Sequence, residues 1–369
     1  MPRKLVVASL LAGVSFYGAS LAQTAAAPQG PTCREVELTS KPGWTLSGAW
    51  RSDGSLLVVD SLWNTLRRYS GTGTSLGPVG EPLRSSLRDL LPVTGQVSGS
   101  KLILQVSDGL MLLDEGFHPL KTVSMLPSRG QGWTLDHYWQ WQALGDQVVA
   151  YADIVRGTDR DNLDNWRGAL VRFSLREPSD LTILRLDSLD DRDRRIFFRT
   201  GNPYIATLND TAYILSMGNR PTLYRNEKGS ARLEELKGLL PGRDKSPQLP
   251  EFKTQEDYVA LMAAIEKESM PVGLYGWNDS LYILSRSPGT KGTRWVLTAV
   301  DPTRRQITGS LELPIKANHV TVVPGPQSWA IIEKGPVRGY GVQDIPRILF
   351  IPSAFLRAPL KSNTRVCPM

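Results

Sequence analysis

The chain has 369 residues with 43 Lys and Arg against 36 Asp and Glu, a net charge of +7, and only two cysteines and three histidines. The basic excess is scattered, with no block of five or six like charges, which argues against a nucleic-acid partner. Two cysteines and three dispersed histidines supply too few ligands for a Cys- or multi-His-based metal centre.

Arg3 and Lys4 form a short positive segment, followed by an apolar run from Leu5 to about Tyr17 and small residues at Ser20 and Ala22. This is the pattern of a secretory signal peptide over 1–22, cleaved after Ala22. Its apolar run is too short to span a bilayer comfortably. Cleavage would remove Arg3 and Lys4 and leave a net charge of +5. No later stretch approaches the length of a membrane helix, so the mature chain is expected to be soluble, and the signal peptide sets the expected location as secreted or periplasmic. Residues 23–32 read as a flexible lead-in to a single domain over 33–369. In an oxidising compartment Cys33 and Cys367 pair most simply as a disulfide. A loop of that length would contribute roughly 5 kcal/mol in the chain-entropy model.

The rest of the chain is a succession of short β-rich runs separated by Asp, Asn, Gly and Ser turns. The clearest is "AWRSDGSLLVVDSLWNTLRRYSGTG", residues 49–73, read as strand, tight turn, strand, loop, strand, turn. Similar units begin near residues 97, 143, 208, 277 and 322. "LNDTAYILS" (208–216) and "WNDSLYILS" (277–285) are near copies. Asp53, Ser100, Asp146, Asp210, Asp279 and Gln327 mark the tight turns, at intervals of 47, 46, 64, 69 and 48. A basic period in the forties with four short strands per unit predicts a β-propeller, all-β; six blades fit the length, and five or seven are the alternatives. The longer intervals carry insertions. One, residues 254–269, has the apolar spacing of an amphipathic helix and a Thr254/Asp257 pair resembling a capping box.

The stretch "SDGSLLVVDSLWNTLRRYS" resembles blades of the six-bladed NHL, SMP-30 and TolB-like propellers; the other units match in rhythm alone. The resemblance implies the fold. SMP-30-like lactonases hold a divalent metal at the propeller axis with Glu, Asn and Asp, but no such trio can be placed at matching motifs here. A propeller must also close its ring. "CREVEL", Cys33–Leu38, belongs to no unit of its own and is expected to supply the outer strand of the last blade. That would remove an exposed edge and bring Cys33 beside Cys367.

With strands A to D running outward from the axis, the A–B and C–D turns share one face and the B–C and D–A connections the other. The long irregular segments all fall in the second class. That face is the expected binding surface. Its residues include Trp133, His137, Trp166, Arg199, Asn202, Arg220, Arg338 and Tyr340, a set suited to sugar rings, peptides or anionic small molecules. Arg156, Asn219 and Asp344 lie in the same segments.

"DRDNLDN" places oxygen ligands at Asp159, Asp161 and Asp164. It fails as an EF-hand, because Asp164 stands where Gly is needed and Leu170 where Glu is needed. A looser loop for calcium or another divalent cation is the remaining metal reading, and the simpler one is a solvated loop. Otherwise no cofactor is indicated. "WTLDHYWQWQ" is expected to put Trp139 and Trp141 on one strand face, with Asp136 and His137 just before them. No Gly-x-Ser-x-Gly phrase exists to complete a catalytic triad. Asn209 and Asn278 satisfy the N-x-S/T sequon, but the simpler reading is turn chemistry.

The leading expectation is a secreted, monomeric, ligand- or protein-binding propeller with no catalytic activity assigned. Its partner would be a small molecule, a glycan or a protein. The alternatives are a metal-dependent lactonase of SMP-30 type and a cell-envelope interaction module.

Overall fold

The computed structural model describes residues 33–37, 45–60, 65–79, 94–98, 101–106, 109–124, 129–130, 132–157, 162–177, 181–187, 203–216, 221–240, 269–289, 292–315, 317, 319–334, 337–338, 341–342, 347–357 and 365–366. They form a six-bladed β-propeller. The expected leader over 1–22 and the helix expected over 254–269 lie outside the described residues, save Ser269.

Strands are lettered A to D outward from the axis. Blade 1 is Thr45–Trp50, Leu56–Asp60, Thr65–Tyr69 and Ser75–Pro78. Blade 2 is Thr94–Ser98, Lys101–Val106, Gly109–Leu113 and Pro119–Ser124. Blade 3 is Trp133–Leu144, Gln147–Arg156, Trp166–Ser174 and Thr182–Leu186, with Arg129–Gly130 paired inside its strand A. Blade 4 is Tyr204–Leu208, Thr211–Ser216, Thr222–Glu227 and Glu234–Glu235. Blade 5 is Met270–Trp277, Ser280–Gly289, Gly292–Asp301 and Gln306–Leu313, with Arg365–Val366 added in parallel at its outer edge. Blade 6 takes strands A, B and C from His319–Val323, Ser328–Lys334 and Arg347–Pro352. Its strand D is Arg34–Glu37, running antiparallel to strand C with Val36 opposite Ile348.

The ring therefore closes as the sequence implies, with the N-terminal strand completing the last blade. The tight A–B turns fall at Asp53, Asp146, Asp210, Asp279 and Gln327. The sixth marker, Ser100, follows strand A of blade 2 and lies outside the described residues. At the second of the paired phrases, Asn278 and Asp279 both have positive φ, as in a type I′ hairpin turn; at the first, Asn209 does.

The B strands are buried along most of their length rather than alternately, because each blade is covered on both faces by its neighbours. The tightest approach is at Gly276 of blade 5. A Cβ there would stand 2.1 Å from the Thr207 carbonyl of blade 4, so only glycine fits. Between blades 5 and 6 the seam is aromatic. Trp329 is fully buried and meets the rings of Tyr282, Tyr275 and Trp277 at 4.8, 5.9 and 6.1 Å.

Every seam is also bridged by polar groups at or near the face bearing the A–B and C–D turns. Between blades 6 and 1, Arg34 donates to the Gly71 carbonyl and Trp50 Nε1 to the Val323 carbonyl. Arg51 joins blades 1 and 2, donating to the Glu115 carbonyl at 2.8 Å and lying over the Phe117 ring. Lys121 donates to the carbonyls of Leu175 and Arg176. The buried Arg172 donates to the Ser230 carbonyl at 2.7 Å and to Asn226 Oδ1. Blades 4 and 5 share the Arg305–Glu234 ion pair and a bond from Asn209 Nδ2 to Asp279 Oδ1 at 3.2 Å. Tyr282 Oη donates across the last seam to the Leu356 carbonyl, in the short helix α1, Ser353–Arg357. The two repeated Asn-Asp turns thus touch one another.

Deleting Arg34–Glu37 should remove four paired positions from strand C of blade 6. At about 1 kcal/mol per hydrogen bond the loss is roughly 4 kcal/mol. The apolar strand Arg347–Pro352 would then be an open edge prone to self-association. Urea unfolding and size-exclusion chromatography should show a lower midpoint and larger species, whereas deleting residues 28–31 should leave both unchanged.

Candidate functional site

The described candidate residues other than Arg338 lie on blade 3, most of them at its loop-bearing end. Trp133 opens strand A and is registered opposite Arg156 at the end of strand B, while Trp166 opens strand C opposite Val155. A 3-10 turn, Leu163–Asn165, leads into strand C. It is set by Asn162, whose Oδ1 accepts from the Asp164 amide at 3.0 Å. Arg167 ties the group together. Its guanidinium lies 5.9 Å from the centre of the Trp133 ring and donates to the carbonyls of Asp164 and Trp166 at 2.7 and 2.6 Å. Trp133 and Trp166 are half-buried, and Arg156, Asn162 and Asp164 are exposed.

Two β-bulges shape strand A just below this rim, one between Leu135 and His137 and one between Tyr138 and Gln140. They overturn the expectation that Trp139 and Trp141 share a face. Each bulge inserts a residue and shifts the two-residue alternation by one. Trp141 consequently faces blade 2, where its Nε1 donates to Gln105 Oε1 at 2.8 Å, while Trp139 faces blade 4 and donates to Asp153 Oδ2 at 2.8 Å.

Asp153 is the chemically distinctive group of this blade. It lies on strand B, only 5% exposed, and its Oδ1 has no hydrogen-bond partner. Burial, opposed by the Trp139 hydrogen bond and reinforced by the nearby Asp136 carboxylate, raises its pKa to about 7. Beside it Tyr151 donates to Asp187 Oδ2 at 2.8 Å; burial first and the Asp187 charge second push this phenol far up. Arg185 stands 3.9 Å from Asp187 and covers the Tyr224 ring of blade 4. Gly168 makes room for the pair, since a Cβ there would fall 1.9 Å from Tyr151 Oη and 2.7 Å from Asp187 Oδ2.

Of the other predicted residues, His137 is placed in strand A with its backbone opposite Asp153. Arg338 lies in a short hairpin, Val337–Arg338 with Gly341–Val342, inserted between strands B and C of blade 6. Arg199, Asn202, Arg220 and Tyr340 lie outside the described residues, as do Asp159, Asp161, Asn219 and Asp344. Cys33 is buried in the core shared by blades 5 and 6. Among the described residues no group of three or more His, Cys, Asp or Glu is placed to hold a metal ion. Sequence reasoning missed Asp153, Tyr151 and Asp187. A signal for the first was present: one carboxylate inside the apolar run "QVVAYADIV".

No protein-family model matches the sequence, and no curated protein matches it. Solved structures do resemble it in fold. A member of the DUF4221 family from Bacteroides vulgatus superposes with a TM-score of 0.53 at 9% identity, over 87% of this chain and 98% of that one. A gluconolactonase from Xanthomonas campestris gives 0.47 at 12% identity, over 87% and 90%. A calcium-binding regucalcin from Agrobacterium tumefaciens gives 0.45 at 12%, over 89% and 95%. What this chain shares with them is the propeller architecture.

Because the folded pKa of Asp153 lies above the ordinary value of 3.8, the unfolded chain releases its proton first as pH rises. The group therefore subtracts stability progressively between about pH 4 and pH 7, by roughly 4 kcal/mol at the upper end. Asp153→Asn should flatten that slope, and urea midpoints at pH 4.5 and pH 8 should show the variant gaining on the parent only at pH 8. Gly168→Ala should cost about 1–3 kcal/mol by overpacking, read in the same assay.

Proposed function

We propose that this protein is an exported six-bladed propeller that binds a ligand on the face formed by its B–C and D–A connections. The observation that carries the reading is the difference between the two faces. At the turn-bearing face the polar groups are largely spent on bridging all six seams. At the loop-bearing end of blade 3, half-buried Trp133 and Trp166 stand beside exposed Arg156, Asn162 and Asp164. Aromatic faces framed by cations and amides suit a sugar ring or another hydroxylated or anionic small molecule.

Export is supported by the positive, apolar and small-residue succession of residues 3–22. A Cys33–Cys367 disulfide is supported by three facts. The chain has only these two cysteines, no described cysteine is free, and Arg365–Val366 sits on blade 5 while Cys33 lies in the core shared by blades 5 and 6. Cell fractionation with N-terminal sequencing should find the mature chain outside the cytoplasm and starting at Gln23. Non-reducing peptide mapping should recover the Cys33–Cys367 pair.

One observation favours a hydrolytic alternative. A carboxyl held near neutrality by burial beside a second carboxylate is what an acid–base residue requires. That reading requires turnover of a lactone or ester substrate that Asp153→Asn abolishes.

Binding should be measured by thermal shift and calorimetry against a panel of monosaccharides, oligosaccharides and sugar acids. Trp133→Ala and Trp166→Ala should each weaken a hit about tenfold or more, about 1.4 kcal/mol. Arg304→Ala, on an exposed C–D turn of the opposite face, should leave it unchanged. Equal loss in all three variants, or loss only in Arg304→Ala, would overturn the assignment of the face.

A further inference from the structure

Strand A of blade 3 grips strand B least firmly at Asp153. Between the two bulges only two registered pairs remain, His137 with Asp153 and Tyr138 with Ala152. Asp136 and Trp139 are the extra residues on either side and stand out of the ladder. From Gln140 to Leu144 the ladder is regular again. Ahead of the first bulge, residues 133–135 carry the rim tryptophan Trp133.

The Asp153 carboxyl sits inside this thin stretch. Its Oδ2 accepts from Trp139 Nε1 at 2.8 Å, and its Oδ1 is buried with no partner. From strand A it faces the Asp136 carboxylate, and His137 takes the opposite register position. From strand C its register partner is Gly168, which has no side chain. On its own strand the Tyr151 hydroxyl is committed to Asp187, which has Arg185 at 3.9 Å. Blade 4 presents Ile205, Ala212 and Ile214 to this face, with Tyr224 under Arg185. A neutral carboxyl suits that setting. An ionised one has a single donor, a like charge nearby and an oxygen closed off from solvent.

We propose that strand A of blade 3 is a proton-operated latch: with Asp153 protonated the bulged segment stays on strand B, and on ionisation it lifts locally and admits water to the carboxylate. The bulges confine the opening, because they separate the two weak pairs from the regular ladder below. The retained proton, held to about pH 7 by burial and the Asp136 charge against the Trp139 bond, places the switch near neutrality. Residues 133–135 continue the lifted segment, so the latch would also set the order of the Trp133 rim. That consequence rests on the proposed function; the opening itself does not.

Amide hydrogen exchange of the full chain, read by mass spectrometry from pH 4.5 to pH 8 and corrected for the intrinsic pH dependence of exchange, tests the latch. Protection over residues 133–140 should fall about a hundredfold or more through one transition, since a carboxyl moves between about 7 closed and 3.8 open. At pH 8 this segment should exchange far faster than the B strands of blades 1 and 5. Asp153→Asn should stay protected at pH 8. Asp136→Asn, which removes the like charge, should move the transition to lower pH. His137→Gln should leave it in place. The proposal is overturned if Asp153→Asn keeps the transition, if His137→Gln abolishes it, or if the segment at pH 8 exchanges no faster than the B strands of blades 1 and 5. If Asp153→Asn does not fold, the other two variants decide the matter. No ligand enters the readout, so a failed sugar screen sinks the proposed function and leaves the latch standing.

Discussion

Ring closure is the constraint on which the rest of this molecule depends. A propeller sheet can bury its faces only against neighbouring blades, so the sixth blade must meet the first. Here the junction is made by Trp50 of blade 1 bonding to Val323 of blade 6, and by Arg34 reaching from the last outer strand to Gly71. Arg34 can do this because its strand is borrowed from the start of the domain and paired with Arg347–Pro352. The blade-to-blade bonds at the turn-bearing face, and the aromatic cluster around Trp329, all presuppose that closed circle.

Closure also divides the labour between the two faces. One is held by short connections whose polar groups bond across the seams. The other carries the long connections and leaves chemically potent groups below its rim. Asp153 and Arg286 illustrate the contrast in sign. A buried carboxyl beside a second carboxylate keeps its proton to near neutrality, whereas the Arg286 Nε is buried without a hydrogen-bond partner.

Most of the architecture was legible because turns and strand periods are local properties. Asp53, Asp146, Asp210, Asp279 and Gln327 punctuate the chain where tight reversals are favoured, and their spacing counts the blades. The closure by Arg34–Glu37 was legible by a different logic: a β-rich segment without partners must find one. The bulges in blade 3 were not legible. "WTLDHYWQWQ" alternates smoothly as text, and nothing local to it says that Trp139 and Trp141 will part to opposite seams. The candidate residues divide along the same line. Trp133, Trp166 and Asp164 stand out in the sequence as loop-flanking polar and aromatic residues. Asp153, Tyr151 and Asp187 emerge only when strands B, C and D are laid side by side around Gly168.

The borrowed strand sets the order of events during synthesis. Arg34–Glu37 leaves the ribosome early, yet its partner Ile348 lies more than three hundred residues downstream. Blades 1 to 4 draw only on consecutive segments and can form as they emerge, while blade 6 must wait for a contact of very high sequence separation. The nascent chain therefore carries an unpaired strand and an unsealed apolar seam until the end, a state exposed to misassociation. If the chain is threaded across a membrane, the last blade can be sealed only after transit is nearly complete. Maturation of the ring would then be a late, all-at-once step confined to the destination compartment.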